Sequence, residues 1–425
     1  MLSMKHKLEK EDIIEKAEYC LNCKHKPCVN ACPLKNDIPE FIKELKENNI
    51  DEAYRILTNT TVLGSICGEI CPHEKFCQGS CIRSIKSNPV SIGKLEKYVW
   101  DNVEKKEINI ISDELKGKKI AIIGGGPTGL TCSAFLARNG ATVTIYEKQE
   151  ELGGILRYGI PEFRLDKKEL KKTIDRIINL GINVKYNKKL GEDYNLVDLK
   201  DKYDAIFLSF GANVSSKMNI EGENLKGVYG GNELLEKGVF PDYTKKKVAI
   251  IGGGNVAIDA AREIKKLCAQ NVYIIYRRAE EQMPAEVKEI EAAKKQGIEF
   301  IFQNRVNRII GNSNKEVQKI ECIKTELIQR EGESRKVPID IKDSNYLIDV
   351  DYVIMAVGSV ADKSIVDDLE LETTEYGYIK INDKYMTSKE KIFAGGDLSG
   401  FKSTVAWAAK SGREAAESIK EYLIK

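Results

Sequence analysis

KKIAIIGGGPTGLTCSAFLARNGATVTIYE, residues 118–147, decides the fold. The apolar run Ile120–Ile123 is strand-length and ends in glycine, the pattern of a buried strand. Gly124-Gly125-Gly126-Pro127-Thr128-Gly129 then fits G-x-G-x-x-G and opens a helix predicted to end at Gly140. ATVTIYE is a second strand, so the stretch is a βαβ unit. Its glycines permit a tight turn and let backbone approach a pyrophosphate, while the helix start offers unpaired N–H groups and a positive dipole end. Glu147 closes the second strand 23 residues after Gly124. A carboxylate there accepts from a ribose 2′-OH and repels a 2′-phosphate, so FAD or NAD is expected rather than NADP.

The texture returns 128 residues on, where KKVAIIG, a turn and a helix lead into NVYIIYRR. Gly252-Gly253-Gly254-Asn255-Val256-Ala257 is G-x-G-x-x-A. The following strand ends in Arg277-Arg278 with no acid at the ribose position, and arginine offers planar donors to a phosphate. This site reads as NADPH, with NADH the alternative if the arginines are merely solvated. KIFAGGD, residues 391–397, is a short strand before a long helix from about Ser403; Gly395 and Asp397 there suit the ribityl and phosphate part of a flavin.

Upstream of these units, eight of the 11 cysteines fall between Cys20 and Cys81. Cys20-x2-Cys23-x4-Cys28-x3-Cys32-Pro33 resembles the ferredoxin run C-x2-C-x2-C-x3-C-P with two extra residues before the third cysteine. Cys67-x3-Cys71-Pro72-x5-Cys77-x3-Cys81 follows. Two [4Fe–4S] clusters fit this set. Zinc competes, but only one C-x2-C is present; eight purely structural cysteines are the blander alternative. Ile38–Leu57 carries apolar residues at helical spacing, so short helices separate the groups. His25 and His73 are expected to face solvent or stand behind ligands, and Cys132, Cys268 and Cys322 to be packing residues. No C-x-x-C accompanies the glycine motifs, which argues against a flavin–disulfide reductase, and no catalytic side chain stands out.

The 425 residues, 42% apolar and 31% charged, suit a globular protein of two to four domains. A net charge of +2 offers no basic face for nucleic acid or membrane. The charged first twenty residues lack a secretory signal's apolar core, and no transmembrane run is visible, so a cytoplasmic, reducing location is expected, where clustered cysteines are ligands rather than disulfides. Residues 101–116 read as a polar linker.

These residues resemble the small (beta) subunit of glutamate synthase and its relatives, the electron-input portion of dihydropyrimidine dehydrogenases and the large subunit of NADH-dependent ferredoxin:NADP oxidoreductase. CPLKNDIPEFI, CGEICPHEKFCQGSC, NPVSIGKLEKYV, YEKQEELGGILRYGIPEFRL, IIGGGNVAIDAAR with YRRAEEQMPA, and FAGGDLSGFKSTVAWAAKSGREAAESI carry the resemblance, which covers essentially the whole chain. It implies an α/β chain: a helical two-cluster domain over 1–114, a Rossmann-like FAD domain over 115–228 and 361–425, and an inserted NAD(P)H domain over 229–360. It assigns Cys20, Cys23, Cys28 and Cys81 to one cluster. Cys32, Cys71, Cys77 and a non-cysteine ligand at Glu96 would hold the other, leaving Cys67 outside. It also places Gly154 and Arg157 at the FAD. The expected activity is electron transfer from NADPH through FAD and the clusters to a large catalytic subunit or ferredoxin-type acceptor. The competing readings are the input subunit of a dihydropyrimidine dehydrogenase or of a ferredoxin:NADP oxidoreductase, and a self-sufficient NADPH:acceptor flavoenzyme.

Overall fold

The computed structural model describes residues 10–103, 107–238, 240–330, 336–401 and 404–425. His6 and the expected helix start at Ser403 lie outside the described residues; the helix runs Val405–Ile424. The chain divides into two compact units. One comprises Met1–Arg157, Glu162–Gly211 and Lys363–Lys425, the other Tyr158–Pro161 and Ala212–Asp362.

The first unit begins with helices α1 (Lys10–Glu18), α2 (Pro27–Ala31), α3 (Ile38–Lys46), α4 (Ile50–Thr58), α5 (Gly64–Ile70) and α6 (Ile92–Asn102). Apolar spacing explains them. Ile38, Phe41, Ile42 and Leu45 form the buried stripe of α3, and Ala53, Tyr54 and Leu57 that of α4. Helix α6 buries Ile92, Leu95, Val99 and Trp100, and Glu96 lies within that apolar stripe. Glycines let α5 and α6 meet closely: a Cβ on Gly64 would stand 1.9 Å from Trp100 Nε1, and one on Gly68 2.8 Å from the Gly93 carbonyl. That contact brings the helix carrying Cys67 against the helix carrying Glu96.

A parallel five-stranded sheet follows, in the order Ile392–Ala394, Ala205–Leu208, Lys119–Ile123, Thr142–Tyr146, Asn183–Lys185. Helix α7 (Pro127–Arg138) is the crossover between the third and fourth strands of that order. It is buried almost all round because Val405–Ile424 packs on it, with Gly412 so close that a Cβ would lie 2.3 Å from the Thr128 carbonyl. The expected linker is only partly a linker. Ile108 and Leu115 are buried, and Ile111 N–H donates to the Arg138 carbonyl at 2.7 Å. A few apolar anchors within a polar stretch were enough to dock it.

The second unit holds its own parallel sheet, ordered Val228–Gly230, Tyr352–Met355, Lys247–Ile251, Asn271–Tyr276, Glu299–Phe302. An antiparallel sheet beside it was not read from the sequence: Val317–Ile328 pairs with Asn304–Gly311, Val337–Asp340 and Tyr346–Asp349. Cys132 in α7 and Cys322 in this sheet are buried, as expected of packing residues. Cys268 is not: it is exposed, at φ 62° in the turn that ends helix Asn255–Lys266, where the chain must turn left-handed. Among the described residues no helix is long and apolar enough to cross a membrane.

Candidate cofactor sites

At the first glycine turn the backbone is left open on one side. Gly124 sits at φ 101° with a Cβ position 2.7 Å from Phe210 Cα, so only glycine fits. A Cβ on Gly129 would stand 2.0 Å from the Gly124 carbonyl, which is how closely α7 approaches its strand. Gly126 differs: its nearest neighbour would be Gly154 Cα at 3.9 Å, and its φ of −77° suits any residue. Among the described residues nothing crowds position 126, which leaves room for a group to lie against the turn. Gly154, at φ 51°, lies against the same turn, where a Cβ would stand 2.9 Å from Gly126 Cα. Pro127 occupies the first turn of α7, where its missing N–H costs nothing.

Glu147 ends the neighbouring strand. Its two oxygens accept from Gly125 N–H at 2.8 Å and Gln149 N–H at 2.9 Å, and burial holds its pKa above the usual range. Each oxygen keeps a lone pair for a hydroxyl donor. Arg157 is fixed by donation from Nε to the Leu152 carbonyl at 2.9 Å and by an ion pair with Glu151. Gly395 precedes a short turn, Gly396–Ser399, whose Gly396 N–H donates to Ser411 Oγ at 2.9 Å. Burial pushes the Asp397 carboxyl in that turn up to about 6.

The second turn repeats the design. Gly252, at φ 143°, would place a Cβ 2.1 Å from the Ala356 carbonyl, whereas Gly254 has only Pro284 Cγ at 4.0 Å. Asn255 Oδ1 accepts from Glu286 N–H at 3.1 Å, and the Gly253 carbonyl accepts from Ala285 N–H at 3.2 Å. Residues 284–286 thus come back against the turn, a contact that sequence spacing did not predict. Val256 packs beside Gly231. Arg277 and Arg278 are held through their backbone, with Thr325 Oγ1 donating to the Arg277 carbonyl at 2.8 Å and Gln303 N–H to that of Arg278 at 3.0 Å. Arg277 is exposed, and the buried Nε of Arg278 has no hydrogen-bond partner among the described residues. Both fit a phosphate-binding role.

The cysteines form two neighbouring sets. Cys20, Cys23, Cys28 and Cys81 line one cavity with Ile38, Pro39, Ile42, Val90 and Ile92. Left-handed Asn22, Lys26 and Lys35 curl the chain there, and Lys26 N–H donates to the Cys23 carbonyl at 3.1 Å. Burial, with Cys20 and Cys81 nearby, pushes the Cys28 thiol up to about 11. In the second set Cys32, Cys67, Cys71 and Cys77 are buried. Burial raises Cys32 and Cys77, and the negative charge of nearby Glu96 raises both further. Cys67 is raised in the same way, with Glu96, Cys71, Cys32 and Cys77 around it, so burial alone does not separate it from the others. Glu96 is pushed up to about 8 by burial, opposed by Asn36 Nδ2 donating to its Oε1 at 3.2 Å. Asn36 in turn accepts from Thr60 Oγ1. Thiols and a carboxyl this costly to ionise suit a cationic iron centre that favours their charged forms. No three His, Cys, Asp or Glu side chains converge on a single metal-ion position among the described residues. His25 is exposed; His73 is half-buried with its ring against Gly93.

Two arginines tie this region to the flavin-side helices. Arg413 Nη1, on Val405–Ile424, donates to the carbonyls of Leu34 at 3.0 Å and Thr60 at 2.8 Å. Arg138 of α7, itself buried, donates to Thr58 and Asn109 carbonyls at 2.6 and 2.8 Å. Neither was found from sequence, because an isolated arginine in a helix carries no motif.

Comparison with known proteins identifies the family. The pyridine nucleotide-disulphide oxidoreductase family model matches residues 93–188 and 118–415, and that of dihydropyrimidine dehydrogenase domain II, 4Fe-4S cluster, matches 1–108. The Glutamate synthase [NADPH] small chain of Escherichia coli K12 is 32% identical over 96% of this chain and 90% of its own length. The NADPH-Fe(3+) oxidoreductase subunit beta of Geobacter sulfurreducens is 33% identical over 93% of this chain, which spans 63% of that protein. Among solved structures, Mycobacterium tuberculosis FprA in complex with NADPH aligns with TM-score 0.64 at 18% identity, over 72% of this chain and 84% of its own, a likeness of fold. The chain therefore belongs to the glutamate synthase small-chain family, oxidoreductases that join an N-terminal 4Fe-4S domain to FAD- and NADP-binding dinucleotide domains.

Proposed function

We propose that the chain is the electron-input subunit of a larger oxidoreductase, most akin to the glutamate synthase small chain, taking electrons from NADPH and delivering them through FAD and two [4Fe–4S] clusters to a partner catalytic subunit. In this reading the domains are 1–114, 115–228 with 361–425, and 229–360, and the protein works in the cytoplasm. The observation that carries it is the cavity in which Cys81 joins Cys20, Cys23 and Cys28, ligands from two distant sequence groups. Cys32, Cys71, Cys77 and Glu96 would hold the second cluster, supported by the closeness of Glu96 and Cys32 to Cys77.

When bound, the cofactors supply hydride acceptance and one-electron carriage, which no side chain of the chain provides. The residues position and tune. The bare backbone at Gly126, beside Gly154, admits the FAD pyrophosphate to the start of α7, and Glu147 accepts from the ribose. Asp397 and the turn after Gly395 flank the rest of the flavin. Gly254 and Asn255 do the same for NADPH, and Arg277 with Arg278 meets its 2′-phosphate. Glu96 adds negative charge to its cluster, favouring the oxidised form.

Anaerobic purification of the tagged protein from its native cell tests the subunit reading. A stoichiometric large partner supports it. No partner, together with NADPH oxidation by small acceptors at full rate, would make the chain a self-sufficient flavoenzyme. Iron analysis tests the ligand sets: about eight irons per FAD are expected for two clusters. Cys67→Ala should retain all of them, and Cys71→Ala should lose half.

A further inference from the structure

The loops that carry Cys20, Cys23 and Cys81 reach the surface through apolar side chains. Leu21 is 52% exposed, Ile82 42% and Ile85 76%. Leu21 and Ile82 line the cavity of the first cysteine set and directly follow two of its cysteines in sequence. Ile82 and Ile85 share the short 3₁₀ turn Ile82–Ile85, in which side chains three apart are eclipsed and so stand on one face. Arg83, also lining the cavity, donates to the Tyr19 carbonyl at 3.0 Å and lies over the Tyr19 ring at 4.2 Å, which stiffens the rim.

The two cysteine loops themselves carry positive charge, bounded by Glu18, Asp37 and Glu74. From Tyr19 to Asn36 and from Lys75 to Gly93 the sequence contains no Asp or Glu, against Lys24, Lys26, Lys35, Lys75, Arg83 and Lys86. Lys24, His25 and Lys86 are exposed. Of the others, Lys26 is paired with Asp37 at 2.9 Å and Lys35 donates to the Asn30 carbonyl. A net charge of +2 over the whole chain makes this local excess a property of the cluster loops rather than of the protein.

We propose that this face, Leu21, Ile82 and Ile85 rimmed by Lys24, His25 and Lys86, is where an electron-accepting protein with an acidic surface docks. The proposal rests on the reading that Cys20, Cys23, Cys28 and Cys81 hold a cluster. Exposed apolar residues among basic ones suit an electrostatically steered electron-transfer contact. The acidic face must come from the acceptor. A second copy of this chain would bring the same positive rim and be repelled.

The test uses the FAD- and iron-loaded chain with an acidic bacterial-type ferredoxin as probe. Ferricyanide is the small acceptor that needs no docking, and the variants are Ile85→Asp and Lys86→Glu. NADPH-driven ferredoxin reduction is expected to lose about tenfold in kcat/KM between low and moderate salt, and at least fivefold in each variant at low salt. Ferricyanide rates, iron content and the cluster EPR signals should stay unchanged. Failure of wild type to reduce ferredoxin, rates insensitive to salt and to both variants, or a dimer dissolved by Ile85→Asp would each overturn the proposal. Loss of the underlying reading looks different: no NADPH-reducible cluster signal in any form, or fewer irons than the first site requires in wild type.

Discussion

Replacing Gly126 with alanine separates the needs of the fold from the needs of the ligand. The new methyl would have no protein atom nearer than Gly154 Cα at 3.9 Å, and φ −77° is ordinary for alanine. The flavin-free protein should therefore keep its stability to within about 1 kcal/mol, since a lower backbone entropy in the unfolded chain offsets a poorer helix cap. The ligand is not so tolerant. A methyl projecting from the turn pushes the pyrophosphate off the α7 N–H groups. Two charge-assisted bonds weakened at about 1.5 kcal/mol each cost about 3 kcal/mol, on the order of 100-fold in affinity. Gly129→Ala is the contrast: its methyl meets the Gly124 carbonyl at 2.0 Å, so the apoprotein itself should be destabilised. FAD titration of apoprotein by fluorescence, beside its thermal melting, reads both quantities. FAD affinity within threefold of wild type for Gly126→Ala, or a loss accompanied by a large fall in apoprotein melting temperature, would refute the reasoning.

Asp397 titrates at about 6 in the fold and near 4 when unfolded, so its contribution to apoprotein stability is complete below pH 4 and disappears as pH rises through 6. Asp397→Asn should remove about 2 kcal/mol of that pH dependence, allowing for partial exposure, as seen in the difference between the two denaturation profiles. Asn36→Leu deprives buried Glu96 of the amide that donates to it, at about 1.5–3 kcal/mol. Chelator challenge should then strip half the iron faster than in wild type while the other half is retained; equal loss rates would contradict it. Arg277→Ala should raise KM for NADPH about 10- to 100-fold and leave NADH nearly unchanged, the phosphate contact being worth about 1.5–3 kcal/mol. Parallel changes for both nucleotides would remove Arg277 from the phosphate site.

The two dinucleotide units were legible because a buried strand, a glycine turn and a helix leave a signature in consecutive residues. Thr142–Tyr146 and Asn271–Tyr276 lie where the apolar runs put them. Glu96 was reached only through family resemblance, although α6 carries its own signal: Ile92, Leu95, Val99 and Trp100 define a buried stripe, and a carboxylate inside it is costly without a partner. Cys268 misled because a helix pattern continues to Leu267 and gives no sign of the left-handed turn after it. The antiparallel sheet escaped because its strands are half-exposed and rich in charge, as in Val317–Ile328. The return of residues 284–286 against the second glycine turn depends on single hydrogen bonds between distant residues, which spacing does not encode.

The Arg413 contact with the Leu34 carbonyl joins residues 379 positions apart. A ribosome adding about 5–20 residues per second needs roughly 20–80 seconds to cover that stretch. Throughout that interval the nascent cysteine loops exist without the arginine that anchors Leu34 and Thr60. Any iron delivered early must be held by loops still lacking that tether. The order of synthesis thus puts the cysteine loops ahead of the residue that anchors them, and their final tether waits on the C-terminal helix.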